Sequence, residues 1–303
     1  MNPIERAMIS LEGLSVGDAF GQQFFGHVED VISNIECRNI PATPWHITDD
    51  SIMAIALFEI LQEFGQVNQE RLAERFAAYY QINPSRGYGG TAHRILQALN
   101  NGENWKSISR AVFDGKGSHG NGAAMRIAPL GAFFSDDIDA LRINAILSAE
   151  ITHSNVEGQM GALAVALASA WMWNNRLVEL DDYSLLSYIY ANIPESDTRN
   201  KIGRAINLPF SYSIETAVSA LGNGTAMSSQ DTVPFCLWVA SRHFNNYEEA
   251  IWSTVRGLGD RDTTCAIVGG ILAMRTGLDG IPSTWRQRRE SLDNWQNNRE
   301  SWW

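Results

Sequence analysis

The sequence is poor in cysteine and in basic residues. Its three cysteines, Cys37, Cys236 and Cys265, show no CxxC or CxxH spacing. We expect small core residues or reduced thiols of a cytoplasmic protein, and no zinc site. Lys and Arg number 23 against 34 Asp and Glu, so the net charge is −11. Because such a field repels phosphate backbones, non-specific nucleic-acid binding is not expected.

Long apolar runs are also missing. The most apolar stretch, residues 160–173, is shorter than the roughly 18–20 residues that a helix needs to cross a bilayer. It predicts a buried core helix and no membrane association. The N-terminal segment carries Glu5 and Glu12, which a signal peptide would not place in its apolar core, so secretion is not expected.

Apolar residues make up 45% of the chain and charged residues 19%, which is enough for a large core and argues against disorder. No linker rich in Pro, Gly or Ser divides residues 1–303, so we predict a single domain.

Apolar residues recur every three or four positions, as in Ile52, Ile55 and Ala56, and no alternating β-branched run requires a strand. We therefore predict an all-α, compact multi-helix domain. The predicted helices cover approximately residues 3–20, 52–61, 72–80, 91–99, 105–113, 123–133, 137–151, 156–174, 183–192, 198–207, 229–242, 247–257 and 264–275.

Two clusters of acids and hydroxyls lie at predicted helix starts. Residues 48–51 read Thr-Asp-Asp-Ser, and taken alone they fit a helix N-cap as well as a metal site. Asp260, Asp262 and Thr263 repeat this chemistry roughly 200 residues later. Oxygen-only ligands suit Mg²⁺ or Mn²⁺. If the two helix starts meet, the clusters could hold two ions roughly 3.5–4 Å apart.

The stretch 115–126 is rich in glycine and contains Ser118, His119 and Asn121. Its G-x-G-x-x-G spacing does not indicate a Rossmann fold, because helices are predicted on both sides of it. Two interpretations remain: a flexible cap of the following helix, or a cradle of backbone N–H groups for an anion such as a pyrophosphate.

His153 follows the predicted helix 137–151 and is either a hydrogen-bonded junction residue or a ligand-binding residue. No histidine pair has HxxxH or HExxH spacing, and the sequence has no GxSxG elbow. Zinc-protease and serine-hydrolase chemistries are therefore not indicated.

Taken in order, the segments between helices resemble the ADP-ribosylglycohydrolase family, which includes the dinitrogenase reductase-activating glycohydrolases and the ADP-ribosyl-acceptor hydrolases. The segments that carry the resemblance are G-D-A-x-G at 17–21, a T-D-D-T-like segment at 48–51, G-Y-G at 87–89, an intact G-N-G-A-A-M-R at 120–126, T-H at 152–153 and the counterpart of G-G-D-T-D-T at 258–263.

The resemblance implies an all-helical domain with two Mg²⁺ or Mn²⁺ ions that hydrolyses the N- or O-glycosidic bond between ADP-ribose and an acceptor, either a protein or a small molecule. It implies a metal shell of Thr48, Asp49, Asp50, Asp260, Asp262 and Thr263, with Asp49, Asp50 and Asp262 as the candidate catalytic acids. It further implies that ADP-ribose is bound by Ser118, Gly120, Asn121, Gly122 and His153.

Three positions depart from the family pattern. Residues 22–25 read Gln-Gln-Phe-Phe where many members carry a Glu, Arg261 replaces the Thr between the late aspartates, and Ser51 replaces a Thr. Two other functions are therefore compatible with the sequence. One is an ADP-ribose-binding protein with weakened turnover, and the other is a dinuclear metal hydrolase of another ribosyl or phosphate ester.

Overall fold

Helices form the architecture, and side chains cap many of their ends. The computed structural model describes residues 1–181 and 183–292, so the end of the predicted 1–303 domain lies outside the described residues. The helices are α1 (Pro3–Gln22), α2 (Val28–Glu36), α3 (Asp49–Phe64), α4 (Gln69–Ile82), α5 (Gly90–Asn100), α6 (Trp105–Ala111), α7 (Ala128–Phe133), α8 (Ile138–Glu150), α9 (Val156–Asn174), α10 (Ser184–Asn192), α11 (Asp197–Ile206), α12 (Ile214–Leu221), α13 (Ser229–Arg242), α14 (Tyr247–Arg256), α15 (Arg261–Thr276) and α16 (Ser283–Arg288).

The all-α prediction is confirmed. Between the helices the described residues form turns, one short 3₁₀ helix at Leu278–Gly280 and isolated bridges, such as the pair Gly120 and Ser228, but no strand of a sheet. None of the described helices is both long and apolar enough to span a membrane.

The interface between α1 and α15 brings the two ends of the chain together. Gly13, Gly17 and Gly21 form a stripe on α1, since residues four apart share one helix face. A Cβ at Gly17 would lie 2.1 Å from the Cys265 carbonyl oxygen, and one at Gly21 would lie 2.2 Å from that of Arg261. The glycines thus allow the two backbones to touch, which sets the start of α15 beside the end of α1.

The Ala-rich helix α9 lies in the core, as its composition predicts. Every residue from 160 to 170 is buried. Small side chains also allow close approach here, because a Cβ at Gly131 of α7 would lie 2.1 Å from the Ala166 carbonyl oxygen. One contiguous apolar cluster joins these helices to α1, α3, α13 and α15.

Some predicted helix bounds were wrong. The expected helix 123–133 begins only at Ala128, because the Asn121 carbonyl accepts the Ala124 and Met125 N–H groups in tight turns. Pro129, which lacks an N–H, then suits the first turn of α7. Helix α15 begins at Arg261 rather than 264, so Asp262 and Thr263 lie in its first turn. Helices α2, α12 and α16 were not predicted.

Candidate functional site

The first acidic cluster forms the start of α3. Thr48 is its N-cap, and Asp49 and Asp50 occupy its first turn. All three are buried, Asp50 with only 1% of its surface exposed. The backbone N–H groups of a helix start favour negative charge, but burial removes the water that would solvate these carboxylates.

Asp18 of α1 lies directly beneath this turn. It accepts hydrogen bonds from the backbone N–H of Thr48 at 2.9 Å, from that of Ser51 at 3.2 Å, and from the Ser51 hydroxyl. The Thr48 hydroxyl lies 2.7 Å from Asp18 Oδ1 and 3.0 Å from Asp50 Oδ2. Asp18 therefore fixes the start of α3. Ser51 replaces the Thr of the family pattern but keeps the hydroxyl group, and that hydroxyl donates to Asp18.

The second acidic cluster forms the start of α15. Asp260 precedes the helix, and its Oδ2 accepts a hydrogen bond of 2.7 Å from Asn121 Nδ2. The Asp262 Oδ1 accepts one of 2.9 Å from the Thr263 backbone N–H. Asn121 thereby joins the Gly-rich stretch to the second cluster.

Both clusters and the Gly-rich stretch face one cavity of about 360 Å³. Of the residues predicted for metal or ligand binding, those that line it are Asp49, Asp50, Ser118, Gly120, Asn121, Gly122, His153, Asp260, Asp262 and Thr263. Thr48 is the exception, since it lies behind Asp50 against Asp18. The structure therefore brings together residues that are far apart in the chain.

Burial raises the pKa values of the carboxyl groups in the site, and neighbouring carboxylates add to the shifts of Asp49, Asp50 and Asp262. Burial, followed by the charge of Asp18, raises the pKa of Asp49 to about 8. Burial, followed by the charge of Asp262, raises the pKa of Asp50 well above its ordinary value, and burial with Asp260 does the same for Asp262. Each of these shifts disfavours the ionised form, because burial and the neighbouring carboxylates outweigh the groups that stabilise it, such as Arg126 near Asp49.

The donor set fits a hard divalent cation. Asp50 Oδ1 is buried without a hydrogen-bond partner, and a cation would stabilise such an oxygen. In the described ranges, no three His, Cys, Asp or Glu side chains are grouped to hold an ion by themselves. An ion here would therefore also need the Thr263 hydroxyl, backbone oxygens or water as ligands.

The Gly-rich stretch is held in place against the start of α13. The Asn121 N–H donates to the Met227 carbonyl at 3.2 Å, and the Ser229 hydroxyl donates to the Gly120 carbonyl at 2.9 Å. A Cβ at Gly122 would lie 3.0 Å from His153 Cε1. The segment is thus an ordered wall of the cavity, and a Cβ at Gly122 would require the imidazole of His153 to shift.

His153 lies at the junction after α8. Its Nδ1 is 2.7 Å from the Thr152 hydroxyl, and Arg126 Nη2 donates to that hydroxyl at 2.9 Å. Burial, followed by the charge of Arg126, lowers the pKa of His153 to about 3. The imidazole is therefore neutral at physiological pH.

Comparison with known proteins decides the family. A family model described as ADP-ribosylglycohydrolase matches residues 1–300. The chain belongs to the ADP-ribosylglycohydrolase family. It is therefore an ADP-ribosyl glycohydrolase, a hydrolase that acts on glycosyl bonds.

Relatives of this ADP-ribosylglycohydrolase come from distant organisms. It is 29% identical to ADP-ribosylhydrolase ARH3 of Mus musculus, over 96% of this chain and 89% of the relative. A protein of Archaeoglobus fulgidus is 31% identical over 90% of this chain and 88% of its own. A solved structure described as "ADP-ribosylglycohydrolase-related protein complex" matches the fold with a TM-score of 0.66 at 23% identity, covering 98% of this chain and 96% of that one.

Two departures from the family pattern contact each other in this glycohydrolase. Arg261 Nη1 donates to the Phe24 carbonyl at 2.7 Å, and the guanidinium lies 4.6 Å from the centre of the Phe25 ring. Arg261 is not among the residues that line the cavity. Its cation is therefore directed toward the Phe24–Phe25 segment.

Sequence reasoning missed Asp18 and Arg126 as residues of the glycohydrolase site. Both stood inside the motifs that carry the family resemblance, G-D-A-x-G and G-N-G-A-A-M-R. The available signal was a charged residue among small and apolar neighbours, a pattern that predicts a buried charge with a dedicated partner.

Proposed function

We propose that the protein is a metal-dependent hydrolase that cleaves the glycosidic bond joining ADP-ribose to an acceptor, which is an ADP-ribosylated protein or a small ADP-ribosyl compound. The supporting observation is the convergence of two Asp/Thr clusters and the Gly-rich stretch on one cavity. The free thiols Cys37, Cys236 and Cys265 fit a cytoplasmic location.

In this proposal Thr48, Asp49, Asp50, Asp260, Asp262 and Thr263 hold two Mg²⁺ or Mn²⁺ ions, with Thr48 acting at least through its contact with Asp50. When bound, the ions supply Lewis acidity toward the ribose hydroxyls and the attacking water.

The remaining steps belong to side chains of the cavity. Ser118, Gly120, Asn121 and Gly122 place the pyrophosphate and ribose, and His153 donates a hydrogen bond to a ligand oxygen. One of Asp49, Asp50 and Asp262 accepts the proton of the attacking water while positive charge develops on the ribose.

The test is release of ADP-ribose from acceptors linked through serine, through arginine and through a small molecule, measured by mass spectrometry. Release with Mg²⁺ or Mn²⁺ and its loss with chelator would support the proposal and identify the acceptor. The Asp50→Asn variant should release at least about 100-fold less, because it removes a ligand and a candidate base. Hydrolysis of generic phosphoesters alone would contradict the substrate assignment.

One departure from the family pattern bears on the rate of turnover. The Phe24–Phe25 segment, held by Arg261, carries no acid where many family members have a Glu, which is compatible with ADP-ribose binding without turnover. Tight calorimetric binding of ADP-ribose, without release from any of the three acceptors, would select this alternative.

A further inference from the structure

The Arg126 side chain is buried beside the cavity that it helps to line, with 1% of its surface exposed. It donates to the carbonyls of Gly122 at 2.8 Å and Ser148 at 3.1 Å and to the Thr152 hydroxyl at 2.9 Å. Its guanidinium also lies 4.7 Å from the centre of the Phe76 ring. A buried charge is costly to retain, and this one is held by hydrogen bonds to the Gly-rich stretch, to α8 and to Thr152.

The direction of the next hydrogen bond follows from donor chemistry. A guanidinium has N–H donors and no acceptor, so the Thr152 oxygen accepts from Arg126. The hydroxyl hydrogen is then free to point at His153 Nδ1, 2.7 Å away. If Nδ1 carried the proton instead, the Thr152 hydrogen would lose this acceptor.

We infer that Arg126 and Thr152 fix His153 as the Nε2–H tautomer and thereby present a single N–H donor to the cavity. A Cβ at Gly120 would lie 3.2 Å from Nε2, and one at Gly122 would lie 3.3 Å from it. Nε2 therefore faces the Gly-rich stretch that lines the cavity.

The fixed donor selects the chemistry of the ligand atom. A neutral Nε2–H donates to a phosphate or hydroxyl oxygen, and it offers no lone pair to a metal ion or to a ligand N–H. Arg126 and Thr152 thus act as positioning residues that keep His153 out of the metal shell and direct it toward an oxygen of the substrate. This consequence for binding rests on the proposed function, whereas the tautomer does not.

The tautomer can be read directly from two-bond ¹H–¹⁵N spectra of protein labelled with ¹⁵N-histidine at pH 7, with His153 assigned by its loss in His153→Gln. The wild type and Thr152→Ser, which keeps the hydroxyl, should show the Nε2–H pattern. Thr152→Val, which keeps the shape and loses the hydroxyl, should show a mixture of tautomers. A wild-type Nδ1–H pattern, or an unchanged pattern in Thr152→Val, would overturn the inference.

Arg126→Gln should also mix the tautomers, because an amide replaces the obligate donor. If this variant fails to fold, the comparison of Thr152→Val with Thr152→Ser still tests the tautomer assignment. For binding, Thr152→Val should weaken ADP-ribose about 10-fold by calorimetry, and Thr152→Ser should recover most of that loss. Absence of ADP-ribose binding by a wild type with the Nε2–H pattern would count against the proposed function and leave the tautomer assignment standing.

Discussion

At the residue scale, Gly122 is a point where the Gly-rich stretch passes close to the imidazole of His153. The Cβ of any larger residue would lie 3.0 Å from His153 Cε1, so a branched side chain must displace the ring or fill the cavity. We predict that Gly122→Val weakens ADP-ribose binding by about 10-fold or more, or about 1.4 kcal/mol. Calorimetry measures the affinity, and circular dichroism checks the fold. An unchanged affinity in a folded variant would remove the Gly-rich stretch from the binding site.

His153 also makes a prediction about pH. Its pKa is lowered to about 3 in the folded protein from an ordinary 6.5, by burial and by Arg126 and His119. Below pH 6.5, His153 binds a proton in the unfolded chain but stays neutral in the folded protein. Its contribution therefore lowers the free energy of unfolding as the pH falls. The slope approaches about 1.36 kcal/mol per pH unit.

We predict that the unfolding free energy of His153→Gln depends less on pH than that of the wild type, because the variant lacks the contribution of this histidine. Urea unfolding at pH 7, 6 and 5 should show the wild type losing about 1 kcal/mol more than the variant between pH 6 and 5. Parallel curves for the two proteins would show that the histidine is protonated in the folded state or is not buried.

Arg261 tests how far the site tolerates a departure from the family pattern. Its guanidinium has no lone pair for a metal and is engaged with the Phe24 carbonyl and the Phe25 ring. We predict that Arg261→Thr changes Mn²⁺ affinity by no more than about 3-fold, because a partly solvated charge is screened. Arg261→Lys serves as the charge-retaining control in the same calorimetric titration. Complete loss of metal binding in Arg261→Thr would make the arginine essential to the site.

At the element scale, the glycine stripe on α1 sets the distance between α1 and α15. In a helix with free space, Gly→Ala is stabilising by about 0.5–1 kcal/mol. At Gly17 the added Cβ would lie 2.1 Å from the Cys265 carbonyl oxygen, so the helices must separate. Overpacking of this kind costs about 1–3 kcal/mol.

We therefore predict that Gly17→Ala lowers the unfolding free energy, whereas Gly90→Ala in α5, where a Cβ meets nothing within 4 Å, does not. Urea denaturation of both variants measures the difference. Equal stabilities would show that α1 and α15 leave room for a Cβ between Gly17 and the Cys265 carbonyl.

The helices could be predicted because their signal is local. Apolar spacing identified α9 and α13, because the residues of a buried helix face recur every three or four positions within one short segment. It missed α2, which buries only Val31 and Ile35, and it extended α7 backward through turns that the Asn121 carbonyl stabilises.

At the scale of the whole molecule, the residue types that form the site could be predicted from the sequence. The contacts between helices that position those residues could not. Asp50 and Asp262 are predicted site residues because carboxylates and hydroxyls occur together at the starts of two predicted helices. Asp18 belongs to the site because α1 packs on α15 and beneath α3, and neither contact is visible in local sequence. The sequence pattern marks Asp18 as a candidate buried charge, but tertiary packing decides that it lies beneath the start of α3.

Metal binding should be visible in the stability of the whole fold. Buried carboxyl groups from α1, α3 and α15 repel one another, and cations bound to the folded state alone stabilise it by mass action. At a Mg²⁺ concentration about 100 times its Kd, we predict a gain of about 2.7 kcal/mol, or a rise in Tm of roughly 5 °C for a chain of this size. Chelator should reverse that rise.

The Asp262→Asn variant separates metal binding from helix capping. With chelator present it should melt above the wild type, because one repelling charge is gone, and with Mg²⁺ it should gain less than the wild type does. Asp139→Asn is the matched control, since Asp139 occupies the same first-turn position of α8 but is exposed. It should respond to Mg²⁺ as the wild type does. If chelator leaves the wild-type Tm unchanged and both variants merely lose a little stability, the aspartates are caps, and the two helix starts meet without sharing ions.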